Sequence, residues 1–199
     1  SSYEDLVDPK WRKRICIRSS NNIYNQSLVA SMIAHNGEDK TAVWANAFVD
    51  NFARKPKGGD RDQVKAVAAG QCDLAIVNTY YLAQMLKSKD QDQVSAAQKT
   101  AVFWPNQKDR GTHVNVSGIA ITKSSKNVDN AHKLINFLLS EPAQKWYAEQ
   151  NNEYPVSKAV EVSLTLQNWG EFKGDQINLE KLGELNSNAV KIMDRAGWR

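Results

Sequence analysis

Twice in the first half of the chain a short β-prone run gives way, within a few polar residues, to a helical pattern. "RICIR" (14–18) leads through "SSNN" into "IYNQSLVASMIAH", and "DLAIV" (73–77) leads through "NT" into "YYLAQMLKSK". Repeated β-then-α units of this size require parallel strands joined by helical crossovers, so the expected fold class is α/β. Between them, "EDKTAVWANAFVDNF" reads as a helix over 38–52. The loop "ARKPKGGD" interrupts with Pro and paired Gly, and Asp60 is expected to cap a helix that stops at Gly70. A polar helix near 92–99 and a strand "TAVFW" (100–104) follow. Beyond the loop "PNQKDRG", the alternating run "THVNVSGIAIT" (112–122) suits a strand crossing between lobes. Helices are expected at "NVDNAHKLINFLLS" and "EPAQKWYAEQN", a turn at "NEYPVS", and a closing helix over 178–197. There are no internal repeats or low-complexity segments.

Composition narrows the function classes. A length of 199 residues with 41% hydrophobic and 24% charged side chains is that of a folded chain. The net charge of +4 is mild, and the basic residues are interleaved with acids except in "KWRKR" (10–14), a run that reads as a solvated face; nucleic-acid binding is not expected. No apolar run approaches the about 20 residues that cross a bilayer as a helix. The chain opens on "SSYEDLVDPKW" without an initiator Met or a leader, as a mature protein or a piece of a longer one would. Cys16 and Cys72 sit in no metal-type spacing, so they are either two buried thiols or, if their strands are neighbours in an oxidising compartment, a disulfide.

The chemistry concentrates at the two corners. In open α/β sheets ligands gather beyond the carboxyl ends of the strands, where helix N-termini offer unpaired N–H groups. Tyr24 falls at the start of the first helix; Tyr80 and Tyr81 occupy the first turn of the other, with Asn78 or Thr79 as N-cap. If the two strands are neighbours, three phenols converge. A phenol has an ordinary pKa near 10, and a trivalent cation or a helix N-terminus stabilises its anion. Hard cations prefer anionic oxygen, so a tyrosine cluster without Cys ligands or paired His suits ferric iron better than zinc or copper. The competing reading is ordinary packing, with half-buried rings and hydrogen-bonded hydroxyls. His35, His113 and His132 match no zinc spacing. Arg54, Arg61 and Arg110 are candidates for steering an anion, or simply surface charges and ion-pair partners. Glu153-Tyr154-Pro155-Val156 reads as a rigid turn.

Four stretches, "RSSNNIYNQSLVASMIA", "NFARKPKGGDRDQVKAVAAGQCDLAIVNTYYL", "RGTHVNVSGIAITKSSKN" and "LINFLLSEPAQKWYAEQNNEYPV", resemble the ferric-ion-binding proteins of bacterial ABC-type iron uptake systems, over essentially the whole chain. The resemblance implies a periplasmic-binding-protein type II-like lobe with part of a second lobe, the N-terminal portion being missing. It implies Tyr24, Tyr80 and Tyr81 as phenolate ligands of Fe(3+), with Asn78, Thr79, Ser19 and Asn22 as neighbours that support them. A synergistic anion such as carbonate, or water, would fill open positions. By the same analogy, residues 1–110 and 162–199 belong to one lobe and 111–161 to the other. That middle stretch would expose apolar surface meant for a missing N-lobe segment or another chain. The implied role is non-enzymatic: a periplasmic, exported protein that binds ferric iron and hands it to an ABC transporter permease in the inner membrane. A binding protein for a small organic anion or sugar uses the same architecture. A hydrolase or transferase in the same cleft lacks its motifs, since there is no GxSxG elbow and no Walker loop.

Overall fold

Ile15–Cys16 (β1) and Leu74–Ala75 (β2) form a two-stranded parallel sheet, with Ile15 opposite Leu74 and Cys16 opposite Ala75. This geometry comes from a computed structural model that describes residues 1–199. The backbone falls into two compact units, Ser1–Asn115 with Phe172–Arg199, and Val116–Glu171.

In the first unit, β1 feeds α1 (Ile23–Asn36), which Gly37 ends at φ +84, a conformation that suits glycine. Helix α2 (Glu38–Val49) starts at once, and α3 (Asp60–Ala68) returns the chain to β2. Helix α4 (Thr79–Leu86) then leaves β2, and α5 (Gln91–Gln98) packs against α3 and α4. The sheet is narrow because the runs 100–104 and 112–122 are not strands; one isolated bridge, Ile15 to Phe52, extends from β1, and another, Thr112 to Gly174, lies apart from it. Both runs have β-forming composition, but a strand exists only where a neighbouring backbone completes its ladder. Helix α2 also ends three residues before the expected Phe52.

The core lies between α1, α2 and a long later helix, α9 (Leu179–Arg195). Ile15, Val29, Met32, Phe48, Met193 and Trp198 are fully buried there. Phe48 stacks on Trp44 at 4.5 Å, and Trp198 meets Phe48 and Phe52 edge-on at 5.3 and 5.4 Å. The Trp198 Nε1–H donates to the Arg18 carbonyl at 2.9 Å. The residues after α9 therefore fix the point where β1 turns toward α1. On the other side of the sheet Cys16 and Cys72 form a disulfide, buried with Ala66. It joins the residue ending β1 to the residue two before β2.

The second unit contains α6 (Val128–Leu138), α7 (Glu141–Trp146) continued by one π-helical turn over Tyr147–Asn151, and α8 (Leu164–Gln167). Asn152 ends the wide turn at φ +56, a left-handed conformation that Asn tolerates better than most side chains. Its interior is small: Ala143, Ala148, Val160 and Leu166 are buried, and Gln144 ties the unit by donating to the Leu138 carbonyl and accepting from the Val156 N–H. Helix α6 buries no residue, and its Leu134 and Phe137 are more than half exposed. No helix is long and apolar enough to cross a membrane.

Candidate metal centre

The two corners are brought side by side because β1 and β2 are neighbours and each continues into a helix. Tyr24 is the second residue of α1 and Tyr80 the second of α4, so equivalent positions of two helix N-termini face each other. Their hydroxyls are 3.0 Å apart. Tyr81, next in α4, lies with its ring 4.2 Å from that of Tyr80, tilted by 32°. Three half-buried phenols thus share one space at the ends of the parallel strands.

Asp60 ties the corners together. The sequence suggests it as a helix cap, but Gly59, in extended backbone, takes that position, and the Asp62 carboxylate accepts from the Gly59 N–H. Asp60 instead turns inward and is 3% exposed. One carboxylate oxygen accepts from Arg18 at 2.6 Å and the other from the Asn78 backbone N–H at 3.0 Å. One side chain thereby holds the residue before the first corner and the N-cap of the second. The Arg18 guanidinium, so fixed, stands 5.8 Å from the Tyr24 ring centre. Arg61 stands 5.7 Å from the Tyr81 ring, held by the Gln84 side chain at 2.7 Å. Each guanidinium thus stands within cation–π range of one phenol ring, Arg18 at Tyr24 and Arg61 at Tyr81.

The remaining candidates are spent locally. Asn22 caps α1 by accepting from the Asn25 N–H. Ser19 donates to Asn21, and its carbonyl accepts from Asn25. Asn78 is the N-cap of α4 without a side-chain cap bond; its side-chain oxygen accepts from Asn115 at 2.9 Å. Thr79 opens α4. Arg110 is taken up by Glu4 at 2.6 Å. A cavity of about 50 Å³ beside Tyr24 is lined also by Asn22, Asn78, Asp60, His113 and Asn115, among others. His113 bonds Ser27 through Nε2 at 2.9 Å, and burial depresses its pKa to about 4, so a neutral imidazole faces the cavity. Neither Asp60 as a cross-link nor His113 as a cavity wall is signalled by the sequence, because both depend on partners remote in the chain.

Burial, then the hydrogen bond with Tyr24, raises the pKa of Tyr80. For Tyr81 the hydrogen bond to Tyr80 pulls downward, but burial and Tyr24 outweigh it and the net direction is up. Without a cation Tyr80 and Tyr81 therefore hold their protons at neutral pH. A cation that displaced them would be met by up to three anionic oxygens, at the positive ends of two helices. No cluster of three His, Cys, Asp or Glu side chains offers a competing site.

Paired helix N-termini at the ends of parallel strands, with polar side chains converging above them, have the form of a ligand-binding site of an open α/β fold. The chain belongs to the bacterial extracellular solute-binding protein family, whose model matches residues 1–173. It is 50% identical over 199 residues to Iron uptake protein A1 of Synechocystis sp., covering all of this chain and 55% of that protein. Among solved structures, it superimposes on the Trichodesmium IdiA/FutA protein in complex with iron and citrate ligands with a TM-score of 0.97. That match has 48% identity and covers all of this chain and 63% of the other. The ferric binding protein from Campylobacter jejuni gives a TM-score of 0.96 at 43% identity, with 100% and 63% covered. These neighbours have the type II periplasmic-binding-protein fold, and the chain spans somewhat over half the length of its relatives.

Proposed function

We propose that the chain binds ferric iron through the phenolates of Tyr24, Tyr80 and Tyr81. Ser1–Asn115 with Phe172–Arg199 act as one lobe of a two-lobed periplasmic binding protein, and Val116–Glu171 belong to the other, bounds five and ten residues further along the chain than the resemblance implies. The observation that carries this reading is the 3.0 Å contact between two phenols set at matching positions of two helix N-termini, with a third ring beside them. Hard anionic oxygen and a trivalent cation are matched, and the helix ends and flanking guanidiniums lower the cost of gathering the anions. The names of the relatives support the choice of metal, since they include an iron uptake protein and a ferric binding protein.

Three phenolates leave coordination positions open on a six-coordinate ion. Water, carbonate or a carboxylate anion completes the shell, or groups from a lobe that the longer relatives possess. Membership of the solute-binding class supports delivery of the iron to an ABC permease in the inner membrane.

The test is the visible phenolate-to-iron charge-transfer band. Adding ferric citrate to the metal-free protein is expected to produce the band and release protons, and Tyr80→Phe with Tyr81→Phe is expected to abolish it. An unchanged band in the double variant would refute the assignment. Binding of a sugar panel with no competition from strong iron chelators would favour the organic-solute reading instead.

A further inference from the structure

The loop "ARKPKGGD" (53–60) contributes to the tyrosine site only through Asp60 at its end; the rest of it builds something else. Arg54, Lys57 and Gly58 form one wall of a solvent-open groove of about 420 Å³. The facing wall is a single helical stripe, Asp62, Lys65, Ala66 and Ala69, continued by Gln71. Gly58, at φ +76, brings the loop so close to α3 that a Cβ there would lie 2.5 Å from the Asp62 carboxylate. Gln63, fully buried, fixes the loop by donating to the carbonyls of Lys57 and Gly59 at 2.7 and 3.0 Å. The same side chain accepts from Arg54 at 3.0 Å, which orients the guanidinium.

Charge in this groove is one-sided. The one carboxylate lining the groove with Arg54, Lys57 and Lys65 is Asp62, already committed to the Gly59 N–H; none of the three cations makes an ion pair within 4 Å, although Lys65 also stands near enough to Asp90 to help lower its pKa. The Arg54 Nε–H is buried and meets no protein acceptor. A desolvated guanidinium N–H without an acceptor is costly, and a shift of the side chain toward the groove would let an anionic oxygen satisfy it. The two alanines keep the floor open, and the volume is that of a small-molecule pocket rather than of a point ion.

We propose that this groove binds a small molecule bearing several anionic oxygens, a polycarboxylate or a phosphate, held by Arg54, Lys57 and Lys65. The site is separate from the tyrosine cluster, since none of the three phenols lines it, and it stands whether or not that cluster takes iron.

The experiment is titration calorimetry of the metal-free protein with citrate and, separately, inorganic phosphate, each against sodium chloride at matched ionic strength. Saturable binding of at least one oxyanion is expected. Lys57→Gln with Lys65→Gln is expected to weaken it about tenfold or more, as loss of charge-assisted bonds should. Both lysines are exposed, so folding should survive, which circular dichroism checks. Arg54→Gln is the second variant, expected to weaken the same binding. Tyr80→Phe with Tyr81→Phe should leave it unchanged, and the lysine variant should leave the iron band unchanged. The proposal is overturned if neither oxyanion binds saturably, if binding survives the lysine substitutions undiminished, or if the tyrosine substitutions abolish it.

Discussion

Replacing Asp60 probes the joint that brings the two corners together. The carboxylate is buried, pairs with Arg18 at 2.6 Å and accepts from the Asn78 N–H at 3.0 Å. Asp60→Ala removes both acceptors and leaves a guanidinium that is only 27% exposed without its counter-ion. Removing one partner of a buried pair costs about 3–5 kcal/mol, and the lower end applies because Arg18 keeps some contact with water. Asp60→Asn removes the charge but keeps an oxygen for the Asn78 N–H, so about half of that loss is expected. With a urea slope of about 2 kcal/mol/M, Asp60→Ala should lower the unfolding midpoint by about 1.5 M, and Asp60→Asn by a little under half as much. Chemical denaturation of the metal-free protein, followed by far-UV circular dichroism, measures both. An Asp60→Ala midpoint within about 0.2 M of the parent would show that the buried pair does not hold the corners. Equal losses for Ala and Asn would show that the Asn78 hydrogen bond contributes nothing.

The disulfide closes a separation of 56 residues, for which the chain-entropy relation gives about 4 kcal/mol. Reduction, or Cys16→Ala with Cys72→Ala, should destabilise by an amount of that order; a loss below about 1 kcal/mol in denaturant titrations would refute the loop argument. His113 supplies a pH dependence. The unfolded imidazole takes a proton near 6.5, whereas burial delays protonation in the folded state to about 4. The unfolded state therefore binds more protons between these values, so this group's contribution is fully present above 6.5 and is lost as pH falls toward 4, amounting to about 3 kcal/mol. His113→Gln should flatten that part of the stability profile, and an unchanged slope would show that another group governs it.

The legible part of the molecule was local. Helices α1, α4 and α9 follow from apolar periodicity and capping residues close in sequence, and Asn36-Gly37 marks a helix end that the backbone adopts at φ +84. Tyr24, Tyr80 and Tyr81 stood out because each lies just beyond a β-prone run, at a helix start. The 100–104 and 112–122 runs misled for the complementary reason. Their composition permits strands, but pairing belongs to a partner and not to the run itself.

What the sequence by itself determined was the set of βα units and the placement of three phenols at helix N-termini, since periodicity and capping act over a few residues. Only the tertiary structure decided that the two corners are neighbours, through the parallel pairing of Ile15 with Leu74 and the bridge from Cys16 to Cys72. It also decided the task of Asp60. Gly59 adopted the capping conformation, and that freed the carboxylate to reach Arg18, 42 residues away, and the Asn78 N–H, 18 residues away. Burial and ion pairing are set by whichever groups the fold delivers to the same place, and distance along the chain carries no record of that.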